Sequence, residues 1–312
     1  ASISSNSVFV IDLAGQLTER SQVDPLNAFL GNGTNSLALD ELVNNIKKAK
    51  ENDDIKGIFL ECSAFSADSY ASLEEVRRQL LDFKKSGKWI VAYGDEYTTA
   101  TYYLASCADK VLIHPQGILD WHGMAAEPMF LKDALAKFGI KYTVTKVGTY
   151  KSAPEMYTAD SMSEPNREQV KAYLFGIWNN IVADVAKSRK VSADKLNEYA
   201  DSLITFEDQK KYVEYKMVDQ LAQKSEVKSI VKKMLKIDEK DEIKTVSMAT
   251  MNQQDNVDTK GEEIAVYYAY GDIVQTASET SFSVNNGHQI IGEDVTKDLA
   301  ALAKDDDVKA VV

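Results

Sequence analysis

Short runs of β-branched and aliphatic residues alternate with longer segments of helical periodicity, and this alternation constrains the fold more than any other feature of the sequence. The pattern predicts buried strands at residues 8–13, 55–60, 89–93 and 110–113. Helices are predicted between them at residues 39–50 and 72–85, and Gly87 is a C-cap signal for the second. Strands that alternate with helices in this way indicate an α/β fold with a parallel or mixed sheet.

Helical segments dominate the middle of the chain. The pattern predicts helices at residues 129–138, 165–191, 193–200 and 205–221, and one more strand at residues 142–144. Ser163 is the candidate N-cap of the longest helix, with Pro165 in its first turn. Residues 245–261 are rich in Asn, Gln, Asp, Thr and Met, have little periodicity, and are predicted to be a linker.

The opening pattern returns after this linker. Residues 264–273 match residues 8–17, with Gly271 at the position of Gly15, and residues 306–312 match residues 53–59. We therefore expect an internal repeat of roughly 250 residues. The predicted parts are a first repeat at 1–244 with a helical extension at about 160–240, the linker, and an incomplete second repeat at 262–312. Because the chain stops inside an apolar strand of the second copy, residue 312 is expected to be a truncation.

Composition excludes several classes of protein. The 312 residues carry 36 Lys and Arg against 48 Asp and Glu, a net charge of −12, which argues against a nucleic-acid partner. No window reaches 18 consecutive apolar residues, so no span of a bilayer is predicted. The chain begins at Ala1 without a methionine, which is consistent with removal of a signal or anchor segment. Cys62 and Cys107 form no CxxC motif, and two free thiols or a single bridge both remain open.

Common catalytic and cofactor motifs are missing from the sequence. His114, His122 and His288 show no HExxH motif and no partner at metal-ligand spacing, so no metal site is predicted. The sequence also lacks a P-loop, a dinucleotide fingerprint and a GxSxG elbow, and no cofactor is predicted.

One segment has catalytic potential, the string Val-Gly-Thr-Tyr-Lys-Ser-Ala-Pro-Glu at residues 147–155. Lys151 lies in a loop that begins with Gly148 and follows a predicted strand. A lysine held against apolar walls loses its proton more readily, and a neutral lysine can serve as general base for a hydroxyl nucleophile. The same pattern also fits an ordinary surface cation.

Several motifs together resemble the signal peptide peptidase A (protease IV) family, in its long and internally duplicated form. The motifs are Gly-Asp-Glu-Tyr at 94–97, Tyr-Tyr-Leu-Ala-Ser at 102–106, Ala-Asp-Lys at 108–110, Pro-Gln-Gly at 115–117, Asp-Trp-His-Gly at 120–123 and Gly-Thr-Tyr-Lys-Ser-Ala at 148–153. The resemblance covers essentially the whole chain. It implies a ClpP/crotonase-like fold of stacked ββα units and a membrane-tethered peptidase that cuts residual signal peptides with a Ser–Lys dyad.

Carried over residue by residue, the family's general base falls on Lys151. The nucleophile motif Ala-Ser-Gly-Gly-Tyr-Tyr is met by Thr-Thr-Ala-Thr-Tyr-Tyr at residues 98–103, which puts Thr99 at the serine position and removes both glycines. The upstream Gly-Gly, which supplies oxyanion amides in the family, is met by Phe-Ser-Ala at residues 65–67 or by its neighbours, again without glycine. Thr99 is accordingly interpreted as a structural hydroxyl, and Tyr102 and Tyr103 as packing residues. The working serine is expected in the second repeat, past residue 312.

The resemblance implies that this chain supplies the base of the dyad and is inactive alone. The implied partners are signal peptides or other extended apolar peptides, further copies of the chain in a homo-oligomer such as a tetramer, and the periplasmic face of the inner membrane through an N-terminal anchor. Two alternatives remain at this stage, a non-catalytic scaffold and a crotonase-type acyl-CoA enzyme. The sequence shows no oxyanion pair or adenine pocket that would favour the second alternative.

Overall fold

The computed structural model describes residues 2–20, 36–255, 261–275 and 289–312. The chain divides into two units, Ala1–Asp255 and Asn256–Val312.

The first unit is organised around a sheet whose described strands all pair in parallel, in the order β2-β1-β3-β4-β5-β6, with β7 also beside β1. The strands are β1 (Ser7–Thr18), β2 (Ser36–Ala38), β3 (Ile55–Ala67), β4 (Trp89–Tyr97), β5 (Lys110–Leu119), β6 (Gln220–Leu221) and β7 (Lys244–Val246). Neighbouring parallel strands need crossover connections, which the helices between them supply. The prediction of an α/β fold with a parallel sheet is confirmed.

The helices of the first unit lie mostly where the sequence pattern places them. They are α1 (Leu39–Glu51), α2 (Tyr70–Lys84), α3 (Thr99–Ala105), α4 (Lys132–Lys137), α5 (Glu155–Thr158), α6 (Glu164–Arg189), α7 (Ala193–Asp201), α8 (Gln209–Glu214), α9 (Lys224–Leu235) and α10 (Met248–Asn252). Serine side chains cap four of them, because Ser69, Ser163, Ser192 and Ser247 each accept a hydrogen bond from an amide in the first turn. The predicted cap at Ser163 is therefore observed.

Three local predictions differ from the structure. The predicted helix at 205–221 is a 3₁₀ turn at Ile204–Phe206 followed by the short α8, because the Asp208 side chain caps a new helix there. The predicted helix at 129–138 is shorter, at Lys132–Lys137. Residues 142–144 form no strand; they are exposed and have no ladder partner among the described residues. An isolated strand leaves its backbone groups unpaired, so local β propensity alone does not create one.

Both faces of the sheet are covered. Helix α9 packs Val227, Val231 and Leu235 against one face of the sheet. The opposite face and the helices α1, α2, α3 and α6 form the larger core, in which Trp121 is fully buried. The long strands are therefore buried on both sides, which explains why they are continuous apolar runs in the sequence.

The second unit has an order of strands and helix similar to the opening of the first. Its elements are β8 (Glu263–Ala265), β9 (Asp272–Val274), β10 (Gln289–Ile291), α11 (Gly292–Leu302) and β11 (Val308–Val311). β8 pairs in parallel with β11, as β1 pairs with β3, and β9 pairs with β10 in parallel, as the end of β1 pairs with β2. The first unit has one continuous strand, β1, where the second has β8 and β9. The internal repeat and its boundaries stay predictions.

The stretch predicted as a linker is partly structured. Its first part forms β7 and α10, and α10 packs on α1, where the Asn45 side chain donates to the Asn252 side chain at 2.5 Å and the Lys48 ammonium donates to the Met251 carbonyl at 3.2 Å. The division between the units falls later, at Asp255.

Among the described residues, none of the helices combines the length and apolar character needed to cross a membrane.

Candidate active site

The position that corresponds to the family nucleophile lies at the start of α3. Thr98 is the N-cap of this helix, and its side chain accepts a hydrogen bond from the Thr101 amide. The Thr99 hydroxyl donates to the Asp120 carbonyl at 3.1 Å, and the residue is only 8% exposed. No hydrogen bond joins this hydroxyl to a lysine or a histidine within the described part of the chain. Thr99 therefore links α3 to Asp120, the residue after β5, and its hydroxyl is hydrogen-bonded to no basic side chain among the described residues.

The two tyrosines that follow, Tyr102 and Tyr103, are also packed inside the fold. The Tyr102 hydroxyl donates to the Met217 carbonyl at 2.6 Å, and its ring meets Trp121 edge to face with 5.6 Å between centroids. The Tyr103 hydroxyl donates to the Asp184 carboxylate at 2.6 Å. Burial raises the pKa of both phenols above their usual range. Neither ring faces an open site.

The far end of α3 is fixed by Arg77 of α2, which is only 2% exposed. Its guanidinium donates to the Tyr103 carbonyl, to the Ser106 hydroxyl at 2.8 Å, to the Asp184 carbonyl at 3.0 Å and to the Ser188 hydroxyl at 2.6 Å. One side chain thus ties α2, α3 and α6 together. The sequence pattern does not single out this arginine, because a charged residue beside Arg78 in an amphipathic helix is ordinarily solvated.

Residues 65–67, which stand where the family has a glycine pair, continue strand β3. They lie opposite Gly15, Gln16 and Leu17 of β1 in the parallel ladder, and Phe65 is buried. Successive amides of an extended strand point to opposite sides, so this segment does not direct neighbouring amides at one oxygen atom. The first unit therefore lacks the backbone geometry of an oxyanion site at this position.

Lys151 lies in a different environment, on an exposed loop that leads into α5. Gly148 enters the loop with φ of +102°, a conformation that glycine adopts without strain. The Lys151 carbonyl accepts a hydrogen bond from the Lys146 ammonium at 3.3 Å. Its own ammonium has no hydrogen bond or ion pair to any residue that the structure describes. This nitrogen is open to a group supplied from outside.

Exposed large apolar side chains are frequent on the segment 129–154, which contains Lys151 and which we call the lysine arm. Phe138 is 82% exposed and Val147 is 87% exposed. Other exposed apolar side chains of the arm are Met129, Ile140, Tyr142, Val144 and Tyr150. Exposed apolar surface, where it is extensive, marks regions that bind a ligand or another chain.

Histidines and acidic residues form no alternative centre. His122 lies beside Asp120, with 3.2 Å between Nε2 and the carboxylate, and His114 accepts a hydrogen bond from a neighbouring amide. His288 lies outside the described residues. Within the described ranges, no group of three or more His, Cys, Asp and Glu is placed to hold a metal ion.

Cys62 and Cys107 are free and buried, so the question that the sequence left open is answered in favour of two thiols. Burial raises the pKa of both. A buried thiol with a raised pKa carries little thiolate at neutral pH and is a poor nucleophile.

Comparison with known proteins connects this arrangement to a family. The model of "Peptidase family S49" matches residues 82–238, a stretch that includes both Thr99 and Lys151. The chain belongs to peptidase family S49. The resemblance drawn from the sequence motifs is thereby confirmed.

Curated relatives agree with this membership. "Protease 4" of Salmonella typhi is 30% identical over 318 residues, covering 97% of this chain and 50% of that protein. "Serine protease SPPA, chloroplastic" of Arabidopsis thaliana is 25% identical and covers 98% of this chain and 44% of that protein. The chain thus spans about half the length of the curated relatives it matches.

Two solved structures are similar at low identity. A membrane-bound stomatin-specific protease covers 78% of this chain and 98% of its own, with 11% identity and a TM-score of 0.42. An enoyl-CoA hydratase/isomerase family protein from Silicibacter pomeroyi covers 76% and 83%, with 12% identity and a TM-score of 0.42.

The sequence-predicted site residues are not brought together by the structure. No hydrogen bond joins Thr99 to Lys151 among the described residues; the first is buried in the core and the second is exposed on the arm. A further buried polar residue, Glu155, escaped sequence reasoning although it lies four positions after Lys151. Its hydrogen-bond partners follow it by eight and eleven residues, and these spacings correspond to no capping motif.

Proposed function

We propose that this chain is the base-bearing half of a membrane-associated serine endopeptidase that degrades cleaved signal peptides with a Ser–Lys dyad. The observation that carries the proposal is a contrast within one S49 chain. The Thr99 hydroxyl, at the proposed nucleophile position, donates to a backbone carbonyl, whereas the Lys151 ammonium is exposed and has no partner among the described residues. In this proposal Lys151 is the general base, and the nucleophile lies outside the 312 residues.

The chemistry divides between the two halves. Neutral Lys151 takes the proton of the serine hydroxyl as the serine oxygen attacks the scissile carbonyl carbon. The ammonium then gives that proton to the leaving amine, which departs and leaves an acyl ester on the serine. Water hydrolyses the ester, with Lys151 again accepting and returning a proton. Amides of the serine-bearing half stabilise the oxyanion, because residues 65–67 cannot.

Desolvation completes the base. A lysine acts as general base only in its neutral form, and removal of water from around an amine favours that form. The apolar side chains of the lysine arm, such as Phe138 and Val147, provide the surface that a second half or a second copy of the chain would cover. We propose homo-oligomerisation through the same surface, with the tetramer that the family resemblance implies.

The substrate is an extended apolar peptide. Such a peptide binds as an added strand, with its main chain hydrogen-bonded and alternate side chains in pockets. The proposed location is the periplasmic face of the inner membrane, through an anchor outside this chain. Recovery of the full-length protein in the cytosol, unchanged by salt or detergent, would contradict that location.

A scaffold is the second candidate function. It is favoured by the hydrogen bonds that Thr99, Tyr102 and Tyr103 donate inside the fold, because these hydroxyls support packing. The two candidates differ at Lys151, because a scaffold tolerates the loss of an exposed and unpaired ammonium.

The experiment compares two lysines of the arm in the longer polypeptide that the proposal requires. Lys151→Ala should lower hydrolysis of a fluorogenic apolar peptide ester by about 100- to 10,000-fold, the usual value of a general base. Lys141→Ala removes the same charge from another exposed position and should leave the rate unchanged. The 312-residue chain alone should show no turnover. Full activity of a folded Lys151→Ala protein would eliminate the dyad and leave the scaffold.

A further inference from the structure

The first turns of α6 hold the catalytic loop on both sides of Lys151. On the upstream side, the Tyr150 hydroxyl donates to the Glu168 carboxylate at 2.9 Å. On the downstream side, Glu155 of α5 reaches the N-terminus of the same helix. The loop therefore has one anchor immediately before Lys151 and one four residues after it, and both lead to α6.

The downstream anchor is the stronger of the two. Glu155 is 7% exposed, the only acidic side chain among the buried residues that the structure describes. Its carboxylate accepts three hydrogen bonds: from the Ser163 hydroxyl at 2.5 Å, from the Ser163 amide at 3.2 Å and from the Asn166 side chain at 3.0 Å. Ser163 is also the N-cap of α6, so the carboxylate lies where the helix dipole favours negative charge.

The N-terminus of α6 has a cap that does not depend on Glu155. Ser163 accepts a hydrogen bond from the Asn166 amide, and α5 is a single turn, Glu155–Thr158. What Glu155 adds is a connection between an exposed loop and a 26-residue helix that belongs to the core. The loop itself turns directly into α5, since the Glu155 amide donates to the Ser152 carbonyl at 2.9 Å. A displacement of Glu155 is therefore transmitted to Lys151.

We propose that Glu155 is a positioning residue for the peptidase reaction, which fixes the Lys151 loop to the N-terminus of α6 so that the lysine nitrogen meets the incoming hydroxyl. The inference rests on the proposed function for its catalytic consequence, whereas the fixation of the loop stands by itself. A misplacement of a catalytic group by about 1 Å can cost about 100-fold in rate.

Three variants distinguish a positioning role of Glu155 from an effect of its charge and from an effect on folding. Glu155→Ala removes all three hydrogen bonds. Glu155→Gln keeps them, because its oxygen can accept from the Ser163 amide and from Asn166 while its nitrogen donates to the Ser163 hydroxyl. Glu164→Ala is the matched control: it removes a carboxylate from the first turn of α6, but that side chain is 88% exposed and its ion pair within the described residues is with Arg167 of the same helix.

The first measurement is hydrogen–deuterium exchange of residues 148–158 in the 312-residue chain. Glu155→Ala should accelerate exchange there by about ten-fold while the sheet is unaffected, and Glu155→Gln and Glu164→Ala should behave like the parent. Equal exchange in Glu155→Ala and Glu164→Ala would overturn the fixation of the loop. This measurement needs no peptidase activity.

The second measurement is steady-state hydrolysis by the longer polypeptide. Glu155→Ala should lower kcat by about ten- to 100-fold with KM within about two-fold, and Glu155→Gln should restore most of the rate. A loss in Glu155→Ala no larger than in Glu164→Ala would overturn the positioning role. If Lys151→Ala keeps its activity, the proposed function fails instead, and the exchange measurement still decides whether Glu155 holds the loop.

Discussion

The helix α3 and the lysine arm are two regions of one S49 chain that have opposite relations to solvent. In α3, Thr99, Tyr102 and Tyr103 are buried, and each hydroxyl has a partner inside the fold. In the arm, Lys151 is exposed and its ammonium has no partner among the described residues. The two positions therefore differ in what they can contact: the Thr99 hydroxyl is held by a carbonyl of the fold, whereas the Lys151 ammonium is exposed. This difference is the basis of the proposal that Lys151 acts as a base and that Thr99 is structural.

The largest expected difference between the two regions is in their contribution to stability, and a phenylalanine-to-alanine substitution in each region tests it. Phe83 of α2 is fully buried in the core to which α3 also belongs, whereas Phe138 is 82% exposed on the arm. Phe83→Ala should lower the free energy of unfolding by about 3 to 5 kcal/mol, because it leaves a cavity. Phe138→Ala should change it by no more than about 0.5 kcal/mol. Urea denaturation of the 312-residue chain measures both. Equal losses would mean that the arm packs in the isolated chain.

The next effect concerns the arginine that anchors α3. Arg77→Met removes four hydrogen bonds to α3 and α6 from a buried site and should cost about 3 kcal/mol of stability. Arg78→Met is the matched control, since its side chain is 72% exposed and pairs only with Glu75, and should cost no more than about 0.5 kcal/mol. Comparable denaturation midpoints for the two variants would refute the anchoring role of Arg77.

A smaller effect should appear in the pH dependence of hydrogen exchange around Glu155. The hydrogen bonds from Ser163, together with Asn166 and the nearby charge of Lys146, lower the pKa of Glu155 from its ordinary value of 4.5. A lowered folded-state pKa means that the ionised carboxylate stabilises the loop above pH 4.5 and that this contribution is lost as the pH falls through the lower, folded-state value. Exchange protection of residues 155–166 should therefore decline below pH 4.5. In Glu155→Gln this decline should be absent, and its persistence there would assign it to another group.

Much of this arrangement could be predicted from the sequence. The buried strands are long apolar runs because both faces of the sheet are covered, and the serine caps lie directly before the helices that they begin. The sequence match between the two ends of the chain is accompanied by the same order of strand, helix and strand in both units. Lys151 was predicted as the base because its neighbours form a specific string, and Thr99 was predicted to be structural because no glycine lies near it. Both roles stay predictions.

The rest depended on contacts that no local pattern encodes. Arg77 is buried because α3 and α6, distant in sequence, present carbonyls and hydroxyls to it. Glu155 is buried because the chain returns to it eight residues later. The polar residues after 244 suggested a linker, but β7 finds an edge of β1 to pair with, and backbone pairing outweighs composition there.

The most direct test of the contrast is the substitution Thr99→Val in the longer polypeptide, compared with Lys151→Ala. Valine keeps the shape of threonine and removes only the hydrogen bond to the Asp120 carbonyl, so stability should fall by about 1 kcal/mol. Hydrolysis of the peptide ester should stay within about two-fold of the parent, because this hydroxyl takes no part in the reaction. A folded Thr99→Val protein that loses as much activity as Lys151→Ala would contradict the account and make Thr99 the nucleophile.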